Sequence, residues 1–347
     1  MRSPCKNRFD LRCARVENDA MSIAARLHQF GKPAESLAPE DITIPHPGPE
    51  EVVLDMLAAP INPADLNVIE GTYGDLPELP ATIGNEGVGR VSFAGLGVTG
   101  LNPGQLVLPM AFGTWCKQMV VPAQNVIPLP EGLDVFQAAM LTVNPATAWR
   151  MLHDFVKLEH GDWLVQNAAN SGVGRSVIQL ARALGWKTLN IVRRAELVEE
   201  LTAAGGTVVV TEECDLRKEL KTLCGGARPK LALNAVGGPS ALNIANALAP
   251  GGTMITFGAM SKQPLKIPNG LLIFKGIKFG GFWLNRWRKN AAHAVLRETY
   301  AALATHLKAG TLFTPVHATY PLSRVVEAAE AAAKEQRGGK VLLDLAA

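Results

Sequence analysis

The chain has 347 residues, 48% of them hydrophobic, with a formal net charge of +3; that length allows two domains with separate cores, and so slight a charge, without aromatics interleaved in a basic stripe, excludes a nucleic-acid binder. No apolar run approaches the roughly 20 residues of a membrane-spanning helix. The five cysteines, Cys5, Cys13, Cys116, Cys214 and Cys224, form no CxxC pair, which argues against a disulfide framework or a zinc-binding lobe and fits a reducing cytoplasm of bacterial type.

The first twenty residues, MRSPCKNRFDLRCARVENDA, are Arg-rich but contain Asp10, Glu17 and Asp19 and lack an apolar core. Neither mitochondrial nor secretory targeting is therefore expected, and Met21 reads as the natural start after a poorly ordered extension. From Ser22 to about Pro130, short runs such as EEVVLDMLAAPI, GVGRVSFAG, GQLVLPM and WCKQMVV are separated by turns such as HPGPE and LNPGQ. That texture predicts a β-rich, barrel-like domain. DVFQAAMLTVNPATAWRMLHDFV then takes helical spacing, with a break at Pro145.

From His160 strands alternate with amphipathic helices: GDWLVQNAA, SGVGRSVIQLARALG, WKTLNIVRR, LVEELTAAGG, TVVVTEE, KLALNAVGG, SALNIANALAPGG, TMITFGAM and GIKFGGFWL. Val173, Val177, Leu180 and Leu184 recur on one helical face. Continuously apolar strands separated by helices predict a parallel, doubly wound sheet. A helix AAHAVLRETYAALATHLKAG is expected to stop at Gly310, and TPVHATYPL, SRVVEAAEAAAKEQRGG and KVLLDL predict a closing strand, helix and strand.

QNAANSGVGRS lies at the first strand-to-helix junction of the alternating region. Gly172 and Gly174 would let backbone approach a pyrophosphate, and the helix N-terminus would offer it unpaired N–H groups. The strict GxGxxG pattern is not met, because Asn167, Asn170 and Ser171 stand where glycine or alanine is commoner, so a tight turn without a ligand is the plain alternative. The next strand ends in NIVRR. Where an NAD-binding fold places an acid for the ribose hydroxyls, this chain has Arg193 and Arg194, guanidinium groups suited to a 2′-phosphate. That favours NADPH over a merely solvated basic strand end.

INPADLNVIEGTYGDLPELPATIGNEGVGRV, VNPATAWRML, DWLVQNAANSGVG, LALNAVGG, GGTMITFGAMSKQP and LLIFKGIKFGGFWL, in that order from about Met21 to Leu345, resemble the 2-enoyl thioester reductases. These form a zinc-free branch of the medium-chain dehydrogenase/reductase superfamily. Phe257 departs from the tyrosine expected in its turn, and Ala195 departs after the two arginines. The resemblance implies an α/β fold with a GroES-like β-barrel domain (residues 21–138, completed by 285–347) and a doubly wound Rossmann domain (139–284), with the active cleft between them.

The zinc relatives carry cysteine where Asn62 stands, histidine where Asn85 stands, and a third ligand near Val143; Glu86 alone cannot hold a metal. No metal is expected, and Glu86 reads as a structural carboxylate satisfied by backbone or arginine. Without a Lewis acid, reduction of an α,β-unsaturated thioester needs a hydrogen-bond donor at the enolate oxygen. Tyr73 by composition alone is a surface-loop tyrosine, but it matches the family's catalytic tyrosine, protonated at neutral pH.

The resemblance also brings Asn144 to the nicotinamide end, with a helix cap ahead of Pro145 as the alternative. It brings Asn170, Ser171, Gly172, Val173 and Gly174 to the pyrophosphate, and Phe257, Gly258, Ala259 and Met260 to the nicotinamide side. Phe282, Trp283 and Leu284 would reach cofactor and acyl pocket, although Trp283 could be interdomain packing. Lys340 would lie near the cofactor, or else be a solvated lysine before the last strand. Arg286, Arg288 and Lys289 read either as a site for coenzyme A phosphates or an acyl carrier protein, or as a solvated basic turn. The seven histidines form no metal or triad spacing.

The activity so implied is NADPH-dependent reduction of trans-2-enoyl thioesters of coenzyme A or acyl carrier protein, in fatty-acid synthesis. A zinc-free quinone or alkenal reductase and a non-catalytic NADPH-binding sensor are the alternatives. A homodimer through the edge strand in GIKFGGFWL is expected, with neither nucleic acid nor membrane as partner.

Overall fold

The β-rich half begins with an alternation that works as a strand should. In Glu51–Pro60, Val52, Leu54, Met56 and Ala58 are buried while the residues between them are not, as a period of two requires when one face is covered. The computed structural model describes residues 20–334 and 338–347; the reading of the first residues as an extension therefore lies outside the described residues up to position 19.

Glu51–Pro60 is the hub of a seven-stranded sheet. It pairs antiparallel with Val88–Ala94, with Gln118–Pro122 and with the chain's last strand, Lys340–Asp344. Leu106–Pro109 and Val126–Pro128 extend one side, and Val316–Pro321 lies parallel to Lys340–Asp344 on the other. A smaller sheet contains the hairpin Ala20–Leu27 with Leu37–Ile44, plus Ala81–Thr82. That hairpin escapes the sequence reading. The helix Pro63–Glu70 also escapes it.

The alternating half forms one six-stranded parallel sheet in the order Val208–Thr211, Lys187–Val192, Trp163–Gln166, Leu231–Asn234, Thr253–Thr256, Lys278–Gly281. The order turns back at Trp163–Gln166, where a doubly wound sheet opens its ligand crevice. All four residues of Trp163–Gln166 and of Leu231–Asn234 are buried, because helices cover both faces. On the helix Gly172–Ala183, Val173, Val177 and Leu180 enter the core, each worth about 1.5–3 kcal/mol. Leu184, expected on the same stripe, instead ends the helix.

Pro145 does not break a helix; it opens one. Asn144–Asp154 starts with the proline in its first turn, where a missing N–H costs nothing. The preceding piece, Val135–Ala139, is capped by Asp134, whose side chain accepts from the Gln137 N–H at 2.9 Å. Helix Leu284–Asn290 replaces the expected basic turn, and Leu216–Leu223 is a further helix that the reading omits. One core cluster joins barrel residues Ala58, Val88 and Leu108 to Leu164, Val177 and Leu233 of the parallel sheet and to Tyr300 and Leu303 of helix His293–Lys308. The two halves are thus packed against each other through shared apolar surface.

Candidate active site

Helix Pro63–Glu70 ends at Gly71, whose left-handed backbone (φ 76°) suits glycine. The next two N–H groups, of Thr72 and Tyr73, both donate to the Asn67 carbonyl, at 2.8 and 3.2 Å. The tyrosine loop is therefore tied to a helix end at its root. Its tip crosses to the other half of the molecule: Trp283 Nε1 donates to Tyr73 Oη at 3.0 Å, with the rings edge-to-face at 6.1 Å. Lys289 Nζ meets Asp75 Oδ2 at 2.6 Å close by, in an exposed pair worth little energy.

An indole N–H can only donate, so the phenol oxygen accepts here and its own proton remains available to a third group. Burial raises the phenol above its ordinary value near 10, against a lowering pull from the Trp283 bond. Tyr73 is a protonated donor at neutral pH.

A second constellation lies where zinc relatives carry their metal. Asn62 Nδ2 donates to Glu86 Oε1 at 2.6 Å, and Asn62 Oδ1 accepts from Asn144 Nδ2 at 3.0 Å and from Lys340 Nζ. Glu86 Oε2 accepts from the Val143 N–H at 2.8 Å and the Thr142 hydroxyl at 3.1 Å. Asp65 Oδ2 accepts from the Asn62 N–H at 2.7 Å, and its Oδ1 takes both the backbone and side-chain N–H of Asn85, at 3.0 and 2.7 Å. Asn62, Asp65, Glu86, Asn144 and Lys340 are all buried.

Burial, helped by the neighbouring Glu86, pushes the Asp65 carboxyl up to about 6, while its bonds from the Asn62 N–H and the Asn85 side chain, and the Lys340 charge, pull the other way. Burial likewise raises Glu86, opposed first by the Lys340 charge and then by the Asn62 bond. Such a site does not fit zinc. Asn62, Asn85 and the Val143 N–H stand where ligands would, their polar atoms engaged with one another, and no group of three or more His, Cys, Asp or Glu among the described residues could hold a metal ion.

The glycine turn sits at the C-terminal end of Trp163–Gln166, at the sheet's crevice. Ser171 caps the helix, its Oγ accepting from the Gly174 N–H at 3.1 Å. The Gly172 and Val173 N–H groups, first in the helix, have no intrahelical partner and are free for an anion. Gly174 is required for a reason other than ligand approach, and Gly172 is tightly placed. A Cβ on Gly174 would lie 2.5 Å from the Ala169 carbonyl oxygen, and one on Gly172 would lie 3.0 Å from Asn144 Cγ.

Arg193 and Arg194 follow the end of Lys187–Val192, with Arg194 paired to Glu196 at 3.3 Å. Backbone N–H donors at the turn and two guanidiniums after the neighbouring strand end fit a phosphorylated dinucleotide. Phe257 and Met260 are hung from the adjacent strand by bonds to the Asn234 and Ala235 carbonyls, both at 3.0 Å. A Cβ on Gly258 would meet the Ala235 carbonyl at 2.9 Å, and Ala259 and Met260 are exposed.

The structure joins Tyr73 to Trp283, sets the Asn144 amide against Gly172, and brings Asn144 and Lys340 together on Asn62 Oδ1, across long sequence separations. Two alternatives from the sequence fail, and a third holds only in part. Asn144 is no cap: it is the first helical residue, and its amide reaches Asn62. Lys340 is no solvated lysine; only 9% of it is exposed. The basic segment is a helix rather than a turn, and of its three cations only Arg288 turns inward, donating from Nε to Tyr300 Oη at 2.9 Å and from Nη2 to the Thr142 carbonyl, while Arg286 and Lys289 are exposed. Phe282 is half-buried, edge-on to Phe155 at 6.1 Å, and Leu284 joins the core. Asn62 and Asp65 were missed as site residues. Their signal was an N-P-x-D spacing at a helix start, where the Asp65 carboxylate reaches back to the Asn62 N–H.

Two family models match the chain: the alcohol dehydrogenase GroES-like domain over residues 48–131, and the zinc-binding dehydrogenase over 172–301. The second description names a metal that the residues above do not fit. Curated relatives named "Enoyl-[acyl-carrier-protein] reductase, mitochondrial" include those of Xenopus tropicalis, 43% identical over 87% of this chain and 90% of the relative, and Homo sapiens, 42% over 91% and 86%. That of Dictyostelium discoideum is 38% identical over 95% of this chain and 97% of the relative.

The chain belongs to the 2-enoyl thioester reductases.

Among solved structures, an Etr1p complex with NADP and crotonyl-CoA matches this reductase with TM-score 0.85 and 30% identity, covering 94% of this chain and 100% of the other. An NADPH:quinone reductase from Bacillus thuringiensis matches with TM-score 0.87 and 30% identity, over 94% and 99%. The curated relatives are mitochondrial by designation, which overturns the expectation of a cytoplasmic, bacterial-type protein. Three acidic residues among the arginines of the first twenty positions were too weak a signal to decide compartment.

Proposed function

We propose that this reductase converts trans-2-enoyl thioesters of coenzyme A or acyl carrier protein to saturated acyl thioesters with NADPH, as a step of fatty-acid synthesis. Bound NADPH supplies the hydride, which the β-carbon of the enoyl group receives. Negative charge then develops on the thioester oxygen, and the Tyr73 O–H donates to it. Trp283 contributes by occupying the phenol oxygen as acceptor at 3.0 Å, which turns the phenolic proton toward the substrate and polarises it. The α-carbon takes its proton from Tyr73 or from a water held by it.

The Gly172 and Val173 N–H groups hold the pyrophosphate, with Asn170, Ser171 and Gly174 shaping the turn. Arg193 and Arg194 take the 2′-phosphate; Asn144, Lys340 and the 257–260 turn bound the nicotinamide end, beside Phe282, Trp283 and Leu284. The observation that carries this reading is the Trp283–Tyr73 bond, since it orders a protonated donor between two domains.

A quinone or alkenal reductase remains the second reading, favoured by the fold match to the Bacillus thuringiensis structure. A panel of enoyl thioesters, quinones and alkenals with NADPH and NADH separates them. Crotonyl-CoA should be reduced with NADPH at a kcat/KM at least tenfold above any quinone. Equal or better quinone turnover refutes the proposal, and NADPH binding without turnover of any acceptor would make the chain a sensor.

The reductase is further proposed to dimerise through Lys278–Gly281, which ends its sheet and leaves one edge unpaired within the chain. Leu272, Ile273 and Phe274, exposed by 47%, 71% and 86%, lie in and just after the helix before that edge. Sedimentation of wild type and Phe274→Asp tests this: the variant should shift toward monomer.

A further inference from the structure

Asn62 joins the two halves of the protein through a side-chain amide, and an amide has two unlike ends. The end facing Lys340 must be the oxygen, because an ammonium group offers only donors. The other end is then the NH2, which donates to Glu86 Oε1 at 2.6 Å; Glu86 Oε2 is already held in place by the Val143 N–H at 2.8 Å. With Asn62 so directed, Asn144 has one way to bond it, by giving its own NH2 to Asn62 Oδ1 at 3.0 Å. The Asn144 oxygen is thereby left pointing elsewhere. It has no donor among the described residues and is not sealed from solvent. The Asn144 amide also lies against Gly172, where a Cβ would come within 3.2 Å of both Nδ2 and Oδ1.

We propose that Asn62, directed by Lys340 and Glu86, is a positioning residue that sets the orientation of the Asn144 amide, so that its carbonyl oxygen is presented beside the glycine turn as an acceptor for a hydrogen-bond donor on the nicotinamide half of the cofactor. An ammonium group and a carboxyl group fix one neutral amide, and that amide fixes the next. Misdirected, Asn144 would offer an NH2 to a donor, which repels it. Two donors have the right chemistry, the carboxamide NH2 and a hydroxyl of the adjacent ribose. The inference rests on the NADPH reading above.

The test is equilibrium binding, by calorimetry, of NADP+, of its 3-acetylpyridine analogue (no carboxamide N–H) and of adenosine 2′,5′-bisphosphate, which lacks the nicotinamide half. The proteins are wild type, Asn62→Ala, Lys340→Met and Glu86→Gln. Glu86→Gln keeps the shape but sets an NH2 against either the Val143 N–H or the Asn62 NH2. Each variant should weaken NADP+ roughly 3- to 10-fold, the scale of one hydrogen bond, and leave the bisphosphate within about twofold of wild type. Where the carboxamide is the donor, the wild-type preference for NADP+ over the analogue disappears in the variants. Where a ribose hydroxyl is the donor, that preference persists while both ligands weaken.

Unchanged NADP+ affinity, or equal weakening of NADP+ and bisphosphate, overturns the proposal. If Glu86→Gln does not fold, Asn62→Ala decides, since Lys340 itself bounds the nicotinamide end, and bisphosphate binding certifies that the nucleotide half of the variant is folded. A wild type that fails to bind NADP+ sinks the function instead; wild-type binding with indifferent variants sinks only the relay.

Discussion

The Trp283–Tyr73 bond permits a double-substitution cycle in which the two effects must not multiply. Tyr73→Phe removes the donor to the developing enolate, a loss of about 10²–10³ in kcat by analogy with deletion of an oxyanion donor. Trp283→Phe keeps an aromatic ring beside the phenol but deletes one neutral hydrogen bond of 3.0 Å. Such a bond contributes about 0.5–1.5 kcal/mol, or roughly 2- to 13-fold in kcat. The edge-to-face contact at 6.1 Å is near the outer limit of such pairs, so its change adds little. If the indole acts through the phenol oxygen, Trp283→Phe has no effect on kcat once Tyr73 is already phenylalanine. The coupling energy should then equal the whole Trp283 effect, about 1 kcal/mol. The assay is NADPH oxidation at saturating crotonyl-CoA for the four proteins. A double variant slowed by the product of the two single factors would show that Trp283 serves catalysis by another route and refute the reasoning.

Because burial raises the Tyr73 phenol, kcat/KM should stay level through neutral pH and fall only above about 10. Trp283→Phe should move that fall to still higher pH, since the lost N–H favoured the ionised oxygen; a fall beginning below pH 9 would contradict the assignment. Replacing Arg193 and Arg194 together by alanine should raise the KM for NADPH about 10- to 100-fold, the scale of charge-assisted bonds, and leave that for NADH nearly unchanged. Equal wild-type use of the two coenzymes would remove the reason for naming these arginines. Gly174→Ala should lower the melting temperature by several degrees, because the new Cβ would lie 2.5 Å from a backbone oxygen that cannot give way cheaply, whereas Gly338→Ala, with nothing within 4 Å, should be silent in the same thermal melt.

Much of the fold and of the coenzyme choice was legible in the chain itself. The buried alternation of Glu51–Pro60, the uninterrupted burial of Trp163–Gln166 and the apolar stripe from Val173 to Leu180 follow from local periodicity, which needs no distant partner. Arg193 and Arg194 at a strand end state a charge preference by composition alone. Asn62 and Asn85, in place of metal ligands, likewise removed zinc chemistry by residue type.

What tertiary structure decided was the direction of each polar group. Lys340 lies 278 positions from Asn62 and reaches it because the last strand pairs with the end of Glu51–Pro60, Leu342 opposite Pro60. Tyr73 and Trp283 are 210 positions apart and meet only when the two domains share a core. Asn144, read from sequence as a plausible cap, has its amide turned by Asn62 instead. Periodicity is a property of neighbours along a chain and survives in the sequence. Hydrogen-bond direction depends on which donor or acceptor arrives from elsewhere, and folding alone brings it.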